Sequence, residues 1–243
     1  MRTRVPEFLA RGSRTVVLTG AGVSAESGVP TFRGAQGLWQ GVRPEELASP
    51  AAFAQNPGRV WAWYAWRRDL VRRCRPNPAH QALARLEASL PWFRLVTQNV
   101  DGLHTAAGNE QVLELHGSLW KTRCTREGTV KEDRRSTFPE MPPRCPCGAL
   151  LRPHVVWFGE TLAAADMEQA LKDAQQAELF LVVGTSGIVQ PAASLPGLAR
   201  AQGAHVVEVN PEPTPLTPMT DESHRGPAAE VLPALLEMEN ENS

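Results

Sequence analysis

The sequence predicts an α/β protein of the doubly wound class, in which helices cover both faces of a parallel sheet and a smaller lobe is inserted. Short apolar, β-branched runs alternate with segments of helical periodicity, which is typical of this class. Polar and glycine-rich motifs follow the predicted strands, at the sheet edge where such folds bind ligands. Two long segments without such runs interrupt the alternation, and they predict the inserted lobe.

Five buried strands are predicted from runs of β-branched and apolar residues, over 15–19, 93–97, 112–115, 179–184 and 205–209. Helical patterns lie between them over 58–73, 79–88, 164–177 and 192–201, and a closing helix is expected near 228–238. The proline-rich segment 211–218 is predicted to be a stiff, extended connector to that helix.

The composition and net charge of the chain restrict the classes of partner that it is expected to bind. The 243 residues carry a formal net charge of −1, with 42% hydrophobic and 21% charged residues. This balance gives no basic footprint for nucleic acid, and no apolar run is long enough to cross a membrane. Because the N-terminus lacks a signal-peptide core and no heptads occur, we expect a cytoplasmic monomer. Three of the four cysteines fall within 124–147, and this clustering favours a metal site over disulfide bonds.

A glycine-rich loop that begins with Gly20 and Gly22 follows the first predicted strand. Glycines there let backbone N–H groups approach a phosphate, because no Cβ intervenes. Ala25 stands where the usual G-x-G-x-x-G fingerprint has its third glycine, so the loop alone fits either a nucleotide site or a plain turn. Phe32 and Arg33 add an apolar face and a cation. The other polar motifs at strand ends favour the nucleotide site.

Polar side chains also follow the second and third strands. Gln98, Asn99 and Asp101 together donate and accept hydrogen bonds, as ribose hydroxyls and a carboxamide require, although Asn and Asp are also ordinary turn formers. His116 is a candidate general base, because the pKa of histidine lies near neutral pH. Most histidines are structural, and only its position beside the predicted nucleotide site favours His116 over the other five.

Taken together and in this order, six motifs of the chain resemble those of the sirtuin family, which are NAD-dependent protein-lysine deacylases. They begin at Gly20, Thr97, His116, Phe158, Gly184 and Asn210, and the likeness covers about residues 15–236. The resemblance agrees with one catalytic domain over 1–243. Its Rossmann-like dinucleotide-binding lobe covers about 1–34, 78–119 and 158–243, and its small lobe is built from a helical insert (35–77) and a cysteine-containing insert (120–157).

The resemblance implies a role for each matching residue. The diphosphate and ribose would be lined by Gly20, Ala21, Gly22 and Ser24, with a cofactor loop that holds Ala25, Phe32 and Arg33. The nicotinamide ribose and carboxamide would be held by Gln98, Asn99 and Asp101. The adenosine half would contact Gly184, Thr185, Ser186, Asn210, Glu212 and Ala228. The acyl-lysine tunnel would be bordered by Val155, Trp157 and Phe158.

The same resemblance implies a reaction in which NAD is consumed as an electrophile. The acyl oxygen of an acyl-lysine protein or peptide attacks the ribose C1′ and expels nicotinamide. His116 then serves as the general base that activates a ribose hydroxyl, and Asn99 is the second expected catalytic residue. The products are free lysine, nicotinamide and O-acyl-ADP-ribose.

Tyr64 and Arg67 are three residues apart in the helix predicted over 58–73, so they share one helical face. A phenol beside a guanidinium forms a clamp for a carboxylate. The pair is similar to the one in sirtuins that remove succinyl, malonyl and glutaryl groups, and we expect this preference. Without the family context, an amphipathic helix with solvated arginines would explain both residues.

The cysteine cluster departs from the two cysteine pairs that hold zinc in most sirtuins. Glu127 stands where a second cysteine is expected after Cys124, and Cys145 and Cys147 are closer in sequence than usual. Three thiolates remain, and Glu127 is a possible fourth ligand because zinc accepts carboxylate oxygen. Loss of the metal, with a lobe held by packing alone, is the other interpretation.

Four alternatives stay open at this stage. A plain lysine deacetylase would share the fold and mechanism, and an NAD-dependent protein ADP-ribosyltransferase would share the cofactor. A non-catalytic NAD-binding module is disfavoured because it needs neither His116 nor Asn99. An NAD-linked oxidoreductase is weaker still, since no acid–base pair for a nicotinamide face is evident and the fingerprint is incomplete.

Overall fold

The computed structural model describes residues 3–31 and 43–237. Within these ranges, six parallel strands form the main sheet in the order β3-β2-β1-β7-β8-β9. They are β1 (Thr15–Thr19), β2 (Phe93–Thr97), β3 (Val112–Glu114), β7 (Leu179–Val183), β8 (His205–Val209) and β9 (Glu222–His224). The strand order reverses direction between β1 and β7, so the crevice at their carboxyl ends is the expected ligand site of such a sheet.

Helices cover both faces of this sheet, which confirms the doubly wound class. One hydrophobic core joins the sheet to α1 (Val5–Ala10), α4 (Pro78–Ser89) and α8 (Ala228–Leu236). A second core, on the opposite face, joins it to α6 (Ala164–Gln176) and α7 (Leu195–Ala201). Side chains of successive strand residues alternate between the two cores, as the period of a strand requires. None of the helices in the described ranges is long and apolar enough to span a bilayer.

The smaller lobe has its own antiparallel sheet, in the order β5-β4-β6. Its strands are β4 (Gly117–Cys124), β5 (Val130–Glu132) and β6 (Leu151–Val155), and the helices α2 (Pro50–Gln55) and α3 (Pro57–Arg73) belong to the same region of the chain. A third hydrophobic core joins Trp61 and Tyr64 of α3 to Leu119 of β4 and to Trp157 after β6. Helix α5 (Leu103–Ala107) links β2 to β3.

One sequence prediction is wrong, the extended connector at 211–218. Its second half forms a turn that continues into a 3₁₀ helix, Thr217–Met219. The physical reason is the carboxylate of Glu208, which is 1% exposed and accepts hydrogen bonds from the hydroxyls of Thr214 (2.5 Å) and Thr217 (2.6 Å). Because these bonds satisfy a buried charge, they fold the segment back onto β8 despite its prolines.

Arg68 ties α3 to the smaller lobe from a fully buried position. Its guanidinium donates to the carbonyl oxygens of Arg135 (2.9 Å) and Lys121 (3.3 Å) and lies 3.8 Å from Asp133. Burial lowers the pKa of Arg68 to about 10. The neighbouring residues Tyr64 and Arg67 therefore stand on a helix whose position is fixed by buried polar contacts.

We expect Arg68→Met to lower the free energy of unfolding by about 3 kcal/mol, because two backbone carbonyls and a buried carboxylate lose a charged partner. Arg73→Met, at the exposed end of the same helix, is the control and should change it by less than about 0.5 kcal/mol. Urea unfolding of the two variants measures the difference. Similar stabilities for both would contradict the role assigned to Arg68.

Candidate functional site

The loops that follow β1 and β7 pack backbone against backbone at the edge of the sheet. A Cβ on Gly20 would come within 2.8 Å of the Gly184 carbonyl oxygen and the Thr185 Cα, and one on Gly22 within 2.7 Å of the Gly184 Cα. Gly184 itself has a φ of +59°, in the region that favours glycine. The two loops can therefore touch only because glycine stands at these positions. This is a second reason for glycine here, besides the close approach of a phosphate.

A buried polar cluster lies directly beneath the β1 loop. Asn99 donates from Nδ2 to the Gly20 carbonyl (3.1 Å) and to Ser24 Oγ (3.2 Å), and Ser24 Oγ donates to Asp101 Oδ2 (2.8 Å). Asp101 is 5% exposed, and burial raises the pKa of its carboxyl. The structure thus brings together four residues predicted as parts of a nucleotide site from two distant segments.

Two further histidines, His80 and His104, lie at this cluster, and the sequence motifs assign no role to either. His80 lies 3.3 Å through Nε2 from Ser24 Oγ, and because that hydroxyl donates to Asp101, the imidazole is the donor. Burial lowers the pKa of His80 to about 4 and the pKa of His104 well below its usual value, so both rings are neutral at pH 7. Their ring centroids are 4.8 Å apart. The sequence signal for His80 is its place three residues after Asn77, with which it forms a capping box.

His116 follows β3 and carries a free acceptor nitrogen. Its Nδ1 lies 2.9 Å from the carbonyl oxygen of Gln98, which only accepts, so Nδ1 bears the proton and Nε2 keeps its lone pair. Burial lowers the pKa of His116, and the bond to Gln98 opposes this only in part. At neutral pH the side chain is therefore a neutral imidazole in a fixed tautomer, as a general base requires.

A second hydrogen-bonded chain leads away from His116 along the sheet edge. Gln98 Nε2 donates to Thr185 Oγ1 (2.9 Å), and Asn210 Nδ2 donates to the Thr185 carbonyl (3.1 Å). The side chains of Ser186 and Glu212 are exposed, whereas Ala228 is buried in the core at the start of α8. Ala21 and Ala25 are half-buried in the β1 loop. Phe32 and Arg33 lie outside the described residues.

Tyr64 and Arg67 are both buried, so they are not solvated side chains of an amphipathic helix. The guanidinium carbon Cζ of Arg67 lies 5.5 Å from the centroid of the Tyr64 ring and 4.7 Å from that of Trp63. Burial raises the pKa of the Tyr64 phenol and lowers the pKa of Arg67. Tyr64 shares the third hydrophobic core with Val100, which stands between Asn99 and Asp101 in the chain, so the pair lies next to the buried polar cluster.

The three residues expected at the acyl-lysine tunnel differ in exposure. Trp157 is buried and donates from Nε1 to the Tyr64 hydroxyl (2.9 Å). Val155 is half-buried against the third core, and Phe158 presents 51% of its surface to solvent. A large exposed aromatic side chain beside a buried polar site is typical of a contact surface for a ligand or peptide.

The chemistry of these donors and acceptors fits a dinucleotide. The carboxyl ends of β1, β2 and β7 bring together the backbone groups of two glycine loops, two amides, a carboxyl and several hydroxyls. A dinucleotide needs such a mixture, because its phosphates, ribose hydroxyls and carboxamide require both donors and acceptors. The smaller lobe supplies a buried cation and a phenol to the same region. Fold and site together define an enzyme of the Rossmann-like, dinucleotide-dependent class.

Comparison with known proteins identifies the family. The sequence profile of the Sir2 family matches residues 20–191. The chain is 53% identical over 207 residues to an NAD-dependent protein deacylase of Aquifex aeolicus, covering 85% of this chain and 87% of the relative. It is 51% identical over 234 residues to NAD-dependent protein deacylase 2 of Pyrobaculum aerophilum, covering 96% and 94%. The chain therefore belongs to the Sir2 family of NAD-dependent enzymes.

A solved structure supports the same assignment. The crystal structure of a Sir2 homologue–NAD complex superposes with a TM-score of 0.90 at 49% sequence identity, and the match covers 97% of this chain and 93% of that one. The six-stranded parallel sheet with its small antiparallel lobe is thus the Sir2 fold, as the sequence motifs predict.

The cysteine cluster of the smaller lobe is also assembled. Four potential ligand atoms lie within 4.8 Å of one another, one from each of Cys124, Glu127, Cys145 and Cys147. The Sγ atoms of Cys124 and Cys147 are 3.6 Å apart, and Cys145 Sγ lies 3.9 Å from Glu127 Oε2. Tetrahedral zinc with bonds of about 2.3 Å to sulfur places neighbouring ligand atoms about 3.8 Å apart. The four residues therefore fit a zinc ion.

Proposed function

We propose that this chain removes succinyl, malonyl or glutaryl groups from protein lysines in preference to acetyl groups. The activity itself, NAD-dependent deacylation of protein lysines, follows from its membership of the Sir2 family and the names of its relatives. One observation carries the finer proposal: a buried arginine, Arg67, has its Cζ 5.5 Å from the ring of a buried tyrosine, Tyr64, beside the polar cluster of the nucleotide site.

A buried guanidinium is costly unless an anion offsets its charge. Asp101 interacts electrostatically with Arg67 and opposes the effect of burial, which lowers the pKa of the guanidinium. A carboxylate at the end of an acyl chain would bring a negative charge to Arg67 and could accept from both Arg67 and Tyr64. An acetyl methyl offers neither charge nor acceptor, so the clamp would favour acidic acyl groups.

The residues of the nucleotide site have separate roles in this proposal. NAD, when bound, supplies an electrophilic ribose carbon and a leaving group. Asn99, Ser24 and Asp101 hold one another in place and would orient the nicotinamide ribose. His116, as the neutral base, would take the proton of a ribose hydroxyl at Nε2, while its Nδ1–H bond to Gln98 keeps the ring oriented. Thr185 and Asn210 would bind the adenosine half.

Product analysis tests this function directly. Incubation of the protein with NAD and a succinyl-lysine peptide should yield free lysine peptide, nicotinamide and O-succinyl-ADP-ribose in equal amounts. Protein-bound ADP-ribose without loss of the succinyl group would instead indicate an ADP-ribosyltransferase. Binding of NAD with no nicotinamide release from any acyl-lysine peptide would indicate a binding module.

We also propose that Cys124, Glu127, Cys145 and Cys147 hold one structural zinc. Three thiolates and one carboxylate are acceptable zinc ligands, and thiolate binding would hold the β4 end against the segment before β6. The role of the zinc would be to stabilise the smaller lobe.

Purified protein is expected to contain about one zinc per chain by elemental analysis. Glu127→Ala should lower zinc affinity and make the lobe more sensitive to chelators, because one of four ligands is lost, whereas Glu127→Cys should raise affinity. Glu132→Ala, at an exposed acid on β5, is the matched control. A metal-free wild-type protein whose unfolding does not respond to added zinc would contradict the proposal.

A further inference from the structure

Trp157 stands between the Tyr64–Arg67 pair and an ion pair at the end of β6. Its indole Nε1 donates to the Tyr64 hydroxyl at 2.9 Å. The guanidinium carbon of Arg152 lies 3.5 Å from the centroid of the Trp157 ring. Glu160 accepts from Arg152 Nη1 (2.6 Å) and Nη2 (2.8 Å), and also from the backbone N–H of Trp157 (2.9 Å). The ring is thus held from its face and from its backbone.

The hydrogen bond at the Tyr64 hydroxyl determines which further hydrogen bonds this group can make to a substrate. A phenol oxygen has two lone pairs and one proton. The indole N–H of Trp157 donates to this oxygen. One lone pair of Tyr64 is therefore used, and the hydroxyl keeps a proton that it can donate. A carboxylate only accepts, whereas an acetyl methyl accepts nothing.

We propose that Trp157 is a specificity-determining residue for acidic acyl groups, because its indole N–H occupies one lone pair of Tyr64 and thereby orients the phenolic proton towards the acyl carboxylate. Arg152 and Glu160 are positioning residues, which act by holding Trp157. This inference rests on the proposed preference for acidic acyl groups, and it assigns part of that preference to residues outside the clamp itself.

A purely structural role of Trp157 makes a different prediction. The ring is 2% exposed and packs against Phe53 at a centroid distance of 5.3 Å. If packing were its whole contribution, its replacement would lower turnover of every acyl-lysine substrate by the same factor. The ratio of kcat/KM for succinyl-lysine to kcat/KM for acetyl-lysine separates the two roles.

Trp157→Phe removes the N–H and keeps an aromatic ring. We expect it to lower the succinyl-to-acetyl ratio about tenfold, mainly through a higher KM for the succinyl-lysine peptide, as loss of one oriented hydrogen bond to a charged group predicts. Arg152→Met and Glu160→Gln should shift the ratio in the same direction and less strongly. Arg144→Met, at an exposed arginine of the same lobe, is the control and should leave the ratio unchanged.

The only tyrosine of the chain provides a readout that needs no turnover. With carbon-13 at the tyrosine Cζ, a single resonance reports Tyr64, and its titration gives the phenol pKa. The bond from Trp157 lowers this pKa, so Trp157→Phe should raise it and Arg144→Met should not. An unchanged titration in Trp157→Phe would overturn the inference, whatever the activity.

The outcomes also separate this inference from the function on which it rests. A wild-type enzyme without preference for succinyl-lysine would overturn the proposed function and, with it, the specificity role of Trp157. A wild-type enzyme that has the preference and keeps it in Trp157→Phe would overturn the role of Trp157 alone. A lower ratio together with a shifted Tyr64 titration would support both.

Discussion

His116→Ala is expected to lower kcat for deacylation by roughly a thousandfold, the middle of the range for loss of a positioned general base. The Nε2 lone pair disappears, and no other imidazole is held beside Gln98 in the described part of the chain. The base is needed only after nicotinamide has left, so exchange of labelled nicotinamide into NAD should persist in the variant. His224→Gln, on the edge strand β9, is the control and should retain deacylation.

The pH dependence gives an independent check of the same residue. The base works when neutral, so kcat/KM should rise with pH through the pKa of His116 and then level off. Because burial lowers this pKa from its usual value, the acidic limb should lie at lower pH than that of a free imidazole, and activity should fall only towards acid. An acidic limb centred above pH 7, or a variant that loses nicotinamide exchange together with deacylation, would contradict the assignment.

Arg67→Met is expected to lower kcat/KM for a succinyl-lysine peptide by about a hundredfold, or about 2.7 kcal/mol, a typical cost of removing one partner of a buried charge pair. Methionine keeps much of the volume and removes the charge and the donors. Deacetylation should fall far less, because an acetyl group offers no carboxylate to the guanidinium.

Arg72→Met is the matched control for this variant, since Arg72 lies on the same helix with 63% of its side chain exposed. Its kinetics on both peptides should match those of the wild type. Equal losses of desuccinylation and deacetylation in Arg67→Met would show that Arg67 supports the fold of the lobe and does not select the acyl group.

Strong local signals explain which elements were predictable from the sequence. The bounds of β1, β2 and β8 match the prediction residue for residue, because β-branched and apolar side chains predominate in each and most of them are buried. The strand β9 was missed because it has three residues and all are polar, Glu222–His224. The strand β4 was missed because its polar and apolar residues do not alternate, and its pairing with β6 shifts register.

The positions of several candidate site residues at one sheet edge were predictable from the sequence, and the contacts between them were not. The motif positions predicted correctly that Asn99, Asp101 and His116 lie at one edge of the sheet. The buried bond between Ser24 and His80 joins residues 56 positions apart, and neither has a local pattern that announces the other. Similarly, the glycine spacing suggested a phosphate loop, whereas the packing of Gly22 against Gly184 is a tertiary contact that only the structure reveals.

The most direct test is a competition in one tube between a succinyl-lysine and an acetyl-lysine peptide of identical sequence, with and without NAD, followed by mass spectrometry. The proposed function predicts NAD-dependent loss of the succinyl group first, with O-succinyl-ADP-ribose as the main early product. Faster loss of the acetyl group would keep the fold, the nucleotide site and the role of His116. It would contradict the selection of acidic acyl groups by Tyr64 and Arg67.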